Sequence, residues 1–553
     1  MIGSARGRQG ISATQQRLHQ VTRYPAPAGG IDVRQAIGNE ALDTCVYTYN
    51  LVPFEFGMRV RKGYREWQKD LTAGLAQGVN TVIPYQGSLQ DNSADRLFAV
   101  TNEGIWGVTE DEGTPSLEYT FSTVDPDAGF GTFIQYVSDS GENLLFYADN
   151  VNGIFQYSPD TELWTVPAIT GTDLDVTTLD SVVSHKQRIW FTQRGTTTAW
   201  YLAVGAIAGT ATPFYFGSKF QHGGALAGLF NWTVDGGEGV DDYLVAVSRS
   251  GDVLPYKGTD PTGTDWELRG TYYIGEIPNA ANFGTEQGGE LFLLSVYGVV
   301  SMNDLLSGVD TSAMIANAEG ASTSLKIAGL LRRDMQTKLT QRGWGISTLP
   351  SEGGLLISTP FENNEKPIQY YFNVATQGWG LWRDVPIVSF SAGVNAVIIG
   401  TKDNRVCIMD VPVDNKLIDP VNPATNGDDI QFSILTAFSS LGAEGVYKRV
   451  KLLRPDFLAR EAPDYSIQAR YDYDIAEAAN FQLVAPPSVT SGVWDLSSWD
   501  AAYWGGSVDA AFSSVGGAWG SGRYVAIAMI GKTRTDTRLA GWDVVFDSGG
   551  VMY

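Results

Sequence analysis

The chain has 553 residues, of which 43% are hydrophobic, 12% aromatic and 18% charged, and 63 are glycine. That length suits roughly two to four domains, and the glycines and aromatics favour short strands and tight turns over helices. The formal charge of −23 excludes a protein that grips nucleic acid by its phosphates, and no run approaches the ~18 apolar residues that span a membrane.

The first residues, "MIGSARGRQGISATQQRLHQ", are basic and lack the apolar run of a secretory signal, so synthesis in a cytoplasm is expected. Arg6, Arg8, Arg17, Arg23 and Arg34 face a single acid, Asp32. Residues 1–30 read as an arm that either docks on an acidic neighbour or stays solvated. "DTCVYTYNLVPFEFGMRVRKGYREW" (43–67) reads as strands around Pro53 and Gly57, and residues 31–80 are expected to pack on a base shared with the C-terminal domain. Cys45 and Cys407 each sit in an apolar run. Two cysteines are few for a stapled secreted protein, so buried, inert thiols are expected.

Within 81–411, between residues 95 and 411, one pattern recurs: an apolar strand, a turn with Gly or Asn, and a second apolar strand. "RLFAVTNEGIWGVT", "NLLFYADNVNGIFQYS" and "DYLVAVSRSGDVLPYK" are examples. The anchors Leu97, Leu144, Arg188, Tyr243, Leu291, Leu355 and Val397 are spaced by 42 to 64 residues. A period in this range with several short strands per unit predicts a β-propeller of six or seven blades, because one blade cannot bury both its faces alone. In "VNG", "RSG" and "NEG" the glycine is placed for positive φ, and in "KDN" Asn404 takes that part.

The widest gap holds a helical insertion over 303–341. Within "SLKIAGLLRRDMQTKLTQ", Leu325, Ile327, Leu330, Leu331, Met335 and Leu339 recur at helical spacing. The helix either caps the propeller or projects from it toward a partner. "VPVDNKLIDPVNPATNGDD" has three prolines, and 412–429 reads as a linker. Residues 430–553 read as strands again and predict a β-sandwich-like domain. The expected fold is thus mainly β: a propeller with a helical insertion and a C-terminal sandwich joined by the N-terminal strands.

Catalytic constellations are weak. The three histidines, His19, His185 and His222, stand apart from one another and from the cysteines. "GKT" at 531–533 lacks the first glycine of a phosphate loop, since Ala526 stands there. Asp125 and Asp127 are two of 61 acids, and "DNVNG" (149–153) reads as a hairpin turn. "GVWDLSSWDAAYWGGS" steps Trp494, Trp499 and Trp504 by five, which fits neither a helix nor a strand face. It reads as a glycine-ended loop whose rings clamp either their own domain or a neighbour.

Several segments together resemble the tail nozzle (tail tubular protein B-like) proteins of short-tailed bacteriophages. The opening carries a Pro-Gly-Gly-like entry, then Asn50, Pro53, Gly57, Arg61 and Gly63. "YYFNVATQGWGLWRD" looks like a blade ending with a Gly-Trp-x-x-Trp turn bearing Trp379 and Trp382, and "VYGVVSMNDLLSG" and the terminal "WDLSSWDAAYWGG" segment fit the same order. The resemblance implies a non-enzymatic virion protein, assembled in the host cytoplasm as a homohexameric ring below the tail adaptor. Double-stranded DNA would pass through its lumen without specific binding. It implies no cofactor, metal or catalytic residue. Asn50, Pro53, Gly57, Arg61, Gly63, Trp379, Trp382, Trp494, Trp499 and Trp504 become structural or interface candidates. Arg6, Arg8, Arg17, Leu330 and Leu331 become contacts to a neighbouring copy or the adaptor, with tail fibres and a plug or needle as further partners. The aromatic richness leaves a second reading, a propeller-based carbohydrate-binding or glycan-cleaving protein.

Overall fold

The computed structural model describes residues 20–549, apart from 35–37, 39, 56, 236–239, 308–323, 363–364, 393–395, 419–426, 443, 478–509, 513–515 and 518–519. Its centre is a β-propeller of seven blades. Blades 1 to 4 open with the strands Thr81–Tyr85, Gly131–Val137, Leu179–His185 and Leu226–Asp235, and each continues outward as an antiparallel sheet. Blade 5 opens with Gly284–Gln287 and has three strands. Blade 6 opens with Trp344–Leu349 and blade 7 with Ile387–Ala392. All seven sequence anchors lie in the second strand of their blades. Those strands are buried on both faces, as in Asn143–Asp149, where all but the first residue are buried. A middle strand therefore reads as a continuous apolar run, and that run carries the repeat.

Small polar side chains join one opening strand to the next. Thr81 Oγ1 donates to Gly129 O at 2.7 Å, and Val182 N donates to Thr132 Oγ1 at 2.9 Å. Thr348 N donates to Thr285 Oγ1 at 3.3 Å. Ser389 Oγ donates to Val79 O at 2.7 Å, bringing blade 7 back to blade 1. Ring closure uses the N-terminus. The strand Gly63–Gln68 pairs antiparallel with Val406–Val411 and is the fourth strand of blade 7. This corrects the expectation that residues 31–80 belong wholly to the base. Trp67 Nε1 and Gln68 Nε2 donate to Val108 O and Glu110 O of blade 1 at 2.8 and 2.6 Å, so one strand holds both sides of the seam.

The turns agree with their chemistry at Gly153, Gly251 and Asn404, whose φ values are 88°, 97° and 60°. Gly104 differs. Its φ is not positive, and its constraint is space, since a Cβ would stand 2.1 Å from Tyr119 O.

The base is a β-sandwich. One sheet contains Leu51–Phe54, Gly57–Val60, Thr537–Ser548, Lys448–Ala459 and Ala510–Phe512, with Gln20–Pro25 also paired to the long terminal strand. The facing strands are Cys45–Tyr49, Ile430–Thr436, Val525–Thr533 and Asp464–Tyr471. Phe432, Ile434, Phe457, Met529, Trp542 and Val544 fill the space between them. The second sheet runs on into blade 6, because Tyr49 bridges Leu381 in parallel. One nine-stranded sheet therefore spans the propeller and the base.

The described part of the helical insertion is a short helix, Met302–Leu306, and the helix Ala328–Lys338 behind a 3-10 turn at Leu325–Ile327. Ala328, Leu331 and Met335 are buried in the chain's own core. Tyr370 Oη of blade 6 donates to Asp334 at 2.5 Å, and Lys326 Nζ donates to Gly29 O at 3.0 Å. The helix thus packs against its own propeller and N-terminal segment. The stretch expected as a linker is tied at its described ends, where Asp414 and Asp428 exchange backbone hydrogen bonds of 2.9 and 2.6 Å.

Candidate functional site at the joint of propeller and base

Asn50 is the centre of the joint. Its φ of 60° turns the chain from one base sheet into the other, a conformation Asn tolerates better than most residues. Its side-chain amide donates to Arg383 O at 3.1 Å and Gln431 O at 2.8 Å, and its Oδ1 accepts from Arg383 N at 2.7 Å and Arg61 Nε at 2.8 Å. Every hydrogen-bonding position of this buried amide is used. Three chain segments, the N-terminal hairpin, blade 6 and the C-terminal domain, meet on one side chain.

Arg61 extends the joint. Its side chain has no solvent exposure, and its guanidinium grips both oxygens of Asp414 at 2.7 Å. Such a planar fork suits a buried ion pair because it fixes geometry as well as charge. Nearby, Glu352 in a turn of blade 6 takes Arg59 at 2.5 Å and Lys62 at 2.9 Å from the N-terminal segment. Arg65 on the closing strand reaches Asp111 at 2.8 Å and Asp410 at 3.0 Å.

The glycines permit close approach. A Cβ on Gly63 would stand 2.0 Å from Val413 O, and one on Gly57 (φ 140°) would stand 2.3 Å from Leu539 O. Pro53 lies on the backbone of Gly378 and Gly380, 2.8 and 3.1 Å from where their Cβ atoms would be. The Gly-Trp-x-x-Trp segment is the strand Gly378–Arg383 rather than a turn. Trp379 packs at 4.9 Å on Phe372 in the core that continues into the base, and Trp382 stacks at 5.5 Å on Tyr371 toward blade 7. Asn50, Pro53, Gly57, Arg61, Gly63, Trp379 and Trp382 are therefore brought to one region.

Trp494, Trp499, Trp504, Arg6, Arg8 and Arg17 lie outside the described residues. Leu331 is fully buried within its own chain and Leu330 is half-buried beside it, so Leu331 presents nothing to a neighbour in this arrangement. His185 is buried, with Nδ1 2.7 Å from Asn231 Oδ1, and burial lowers its pKa. His222 is held by Asp252 at 2.6 Å. Asp149 accepts from Val151 N and Asn152 N in a turn. Burial pushes the Cys407 thiol up to about 12 and raises Cys45 as well, which makes both poor nucleophiles. Among the described residues no three His, Cys, Asp or Glu side chains lie close enough to share a metal ion, and no helix is long and apolar enough to cross a membrane.

Sequence reading missed the partners of the motif residues. Asp414 lay in the expected linker, Glu352 in a turn, and Arg383 just past a tryptophan, none with a local signal. It also missed the propeller's axis. The opening strands of all seven blades line a central cavity of about 390 Å³. At one mouth Arg342, entering blade 6, reaches Asp127, entering blade 2, at 3.2 Å. Burial draws the Arg342 pKa down against the pull of Asp127, Asp180 and Asp149.

No family model matches this chain, and no curated protein matches it. Among solved structures, the extracellular domain of a hybrid two-component system from B. thetaiotaomicron is 12% identical over 76% of this chain and 56% of that one, with a TM-score of 0.40. This chain thus spans little more than half of that protein's length. A chain of the nidogen/laminin complex is 11% identical over 52% of this chain and 98% of that one, with a TM-score of 0.28. The architecture described here stands on its own strand pairing.

Proposed function

We propose that this chain is a structural subunit of the tail nozzle of a short-tailed bacteriophage, a sixfold ring around the channel through which DNA leaves the particle. The observation that carries the reading is the joint. The residues that bear the nozzle resemblance, scattered from Asn50 to Trp382, form one buried connection between propeller and base. A subunit of a tube wall must transmit load without its domains swinging, and the shared nine-stranded sheet with the Asn50–Arg61–Asp414 lock suits that demand. The charge of −23 suits a duct that DNA must slide through, because like charge removes the counterion-release term that makes DNA stick. A ring needs two different complementary faces on each copy.

The test is negative-stain microscopy and native mass of the purified chain, alone and with isolated tails. Sixfold rings, or incorporation into tails, support the reading. A stable monomer that retains or hydrolyses polysaccharide overturns it in favour of the carbohydrate reading. Removing residues 1–19, which leaves the base strand Gln20–Pro25 in place, tests the arm: unchanged assembly onto particles rules out its role in docking.

A further inference from the structure

The central cavity contains a carboxylate with no partner. Among the described residues lining its 390 Å³, Glu286 is the one titratable side chain. Its side chain is exposed to solvent at the cavity, and partial burial of the carboxyl pushes it up to about 6. No described residue gives it a hydrogen bond or an ion pair. The charged group that faces it is another acid, Asp242 of blade 4, which is already tied to Lys186 at 2.5 Å.

An aromatic ring stands beside it. Gly284 and Glu286 are two apart on the opening strand of blade 5 and so share a face. A Cβ on Gly284 would stand 2.5 Å from the Phe230 ring, which places that ring over the strand on the side of Glu286. Phe230 is half-buried and fixed edge-to-face on Phe283 at 4.9 Å. A lone carboxylate next to an aromatic ring, in a chamber whose other described lining residues are neutral, is the arrangement that recognises an organic cation. A divalent metal needs several oxygen ligands, usually with more than one negative charge. The opposite mouth is crossed by Arg342, so a cation would enter from the Glu286 end.

We propose that the propeller cavity binds a small organic ammonium ion, with the carboxylate of Glu286 as its counterion and the ring of Phe230 against its alkyl-ammonium face. The site is independent of the assembly reading, because it lies within one chain.

Isothermal titration calorimetry of the full chain with n-butylammonium chloride tests it, with n-butanol as the neutral control and circular dichroism confirming the fold of each variant. The expected result is saturable one-to-one binding of the ammonium and none of the alcohol. Glu286→Gln weakens binding at least tenfold and Phe230→Leu at least threefold, while Glu286→Asp falls between wild type and Glu286→Gln. Absence of saturable heat, or equal binding by wild type and Glu286→Gln, overturns the proposal. Displacement of n-butylammonium by stoichiometric Mg²⁺ overturns it too, in favour of a metal.

Discussion

Arg61 and Asn50 tie the domains together, and their burial makes the joint sensitive to single substitutions. Arg61→Met strands the Asp414 carboxylate in a largely buried setting and removes one of the two donors to Asn50 Oδ1, leaving that of Arg383 N. The expected cost is about 3 kcal/mol, because the loss includes the desolvation penalty of the stranded carboxylate. Urea unfolding measures it, and a loss below about 0.5 kcal/mol would put the lock outside the cooperative structure. Glu286 predicts an effect of opposite sign. Partial burial pushes its carboxyl up to about 6, above its ordinary value, so the native state holds that proton more tightly than the unfolded chain. Stability from this group is full at acid pH and declines as pH rises through about 6. Glu286→Gln should therefore raise the melting midpoint at pH 8 by on the order of 1 °C and leave it unchanged near pH 4.5. Equal shifts at both pH values would contradict the assigned environment.

At the scale of elements, seam closure depends on the strand Gly63–Gln68. Gly63→Ala drives a methyl group into the backbone of Val413 and should cost about 2 kcal/mol. Limited proteolysis should then cut blade 7 faster than blade 3, and uniform cutting would show that the strand is dispensable to the seam. The blades were legible in the sequence because their second strands are buried on both faces and repeat in order. The closing strand was not. "GYREWQ" alternates like any strand, and its partner lies more than 300 residues away, so nothing local says which edge it completes. The joint was half legible. Asn50, Arg61, Gly63, Trp379 and Trp382 were marked by a family-like pattern, but their convergence depends on contacts such as Asn50 to Arg383, 333 residues apart. Glu286 gave no signal, since one acid among 61 acquires meaning only from the chamber around it.

At the scale of the molecule, a rigid propeller and sandwich share one sheet and carry strong negative charge. Such a surface should not hold DNA. Fluorescence anisotropy with a 30-base-pair duplex at low salt should show no binding tighter than about 10 µM, and a micromolar or tighter, salt-sensitive complex would contradict a non-adhesive duct. The most direct test of the nozzle proposal is cryo-electron microscopy of purified tails with this chain fitted to the averaged density. The account predicts six copies in one ring around the axial channel, each with propeller and base in the relative arrangement set by the Asn50–Arg61–Asp414 joint. Tails that lack this chain, or hold it as a peripheral copy away from the channel, would contradict it.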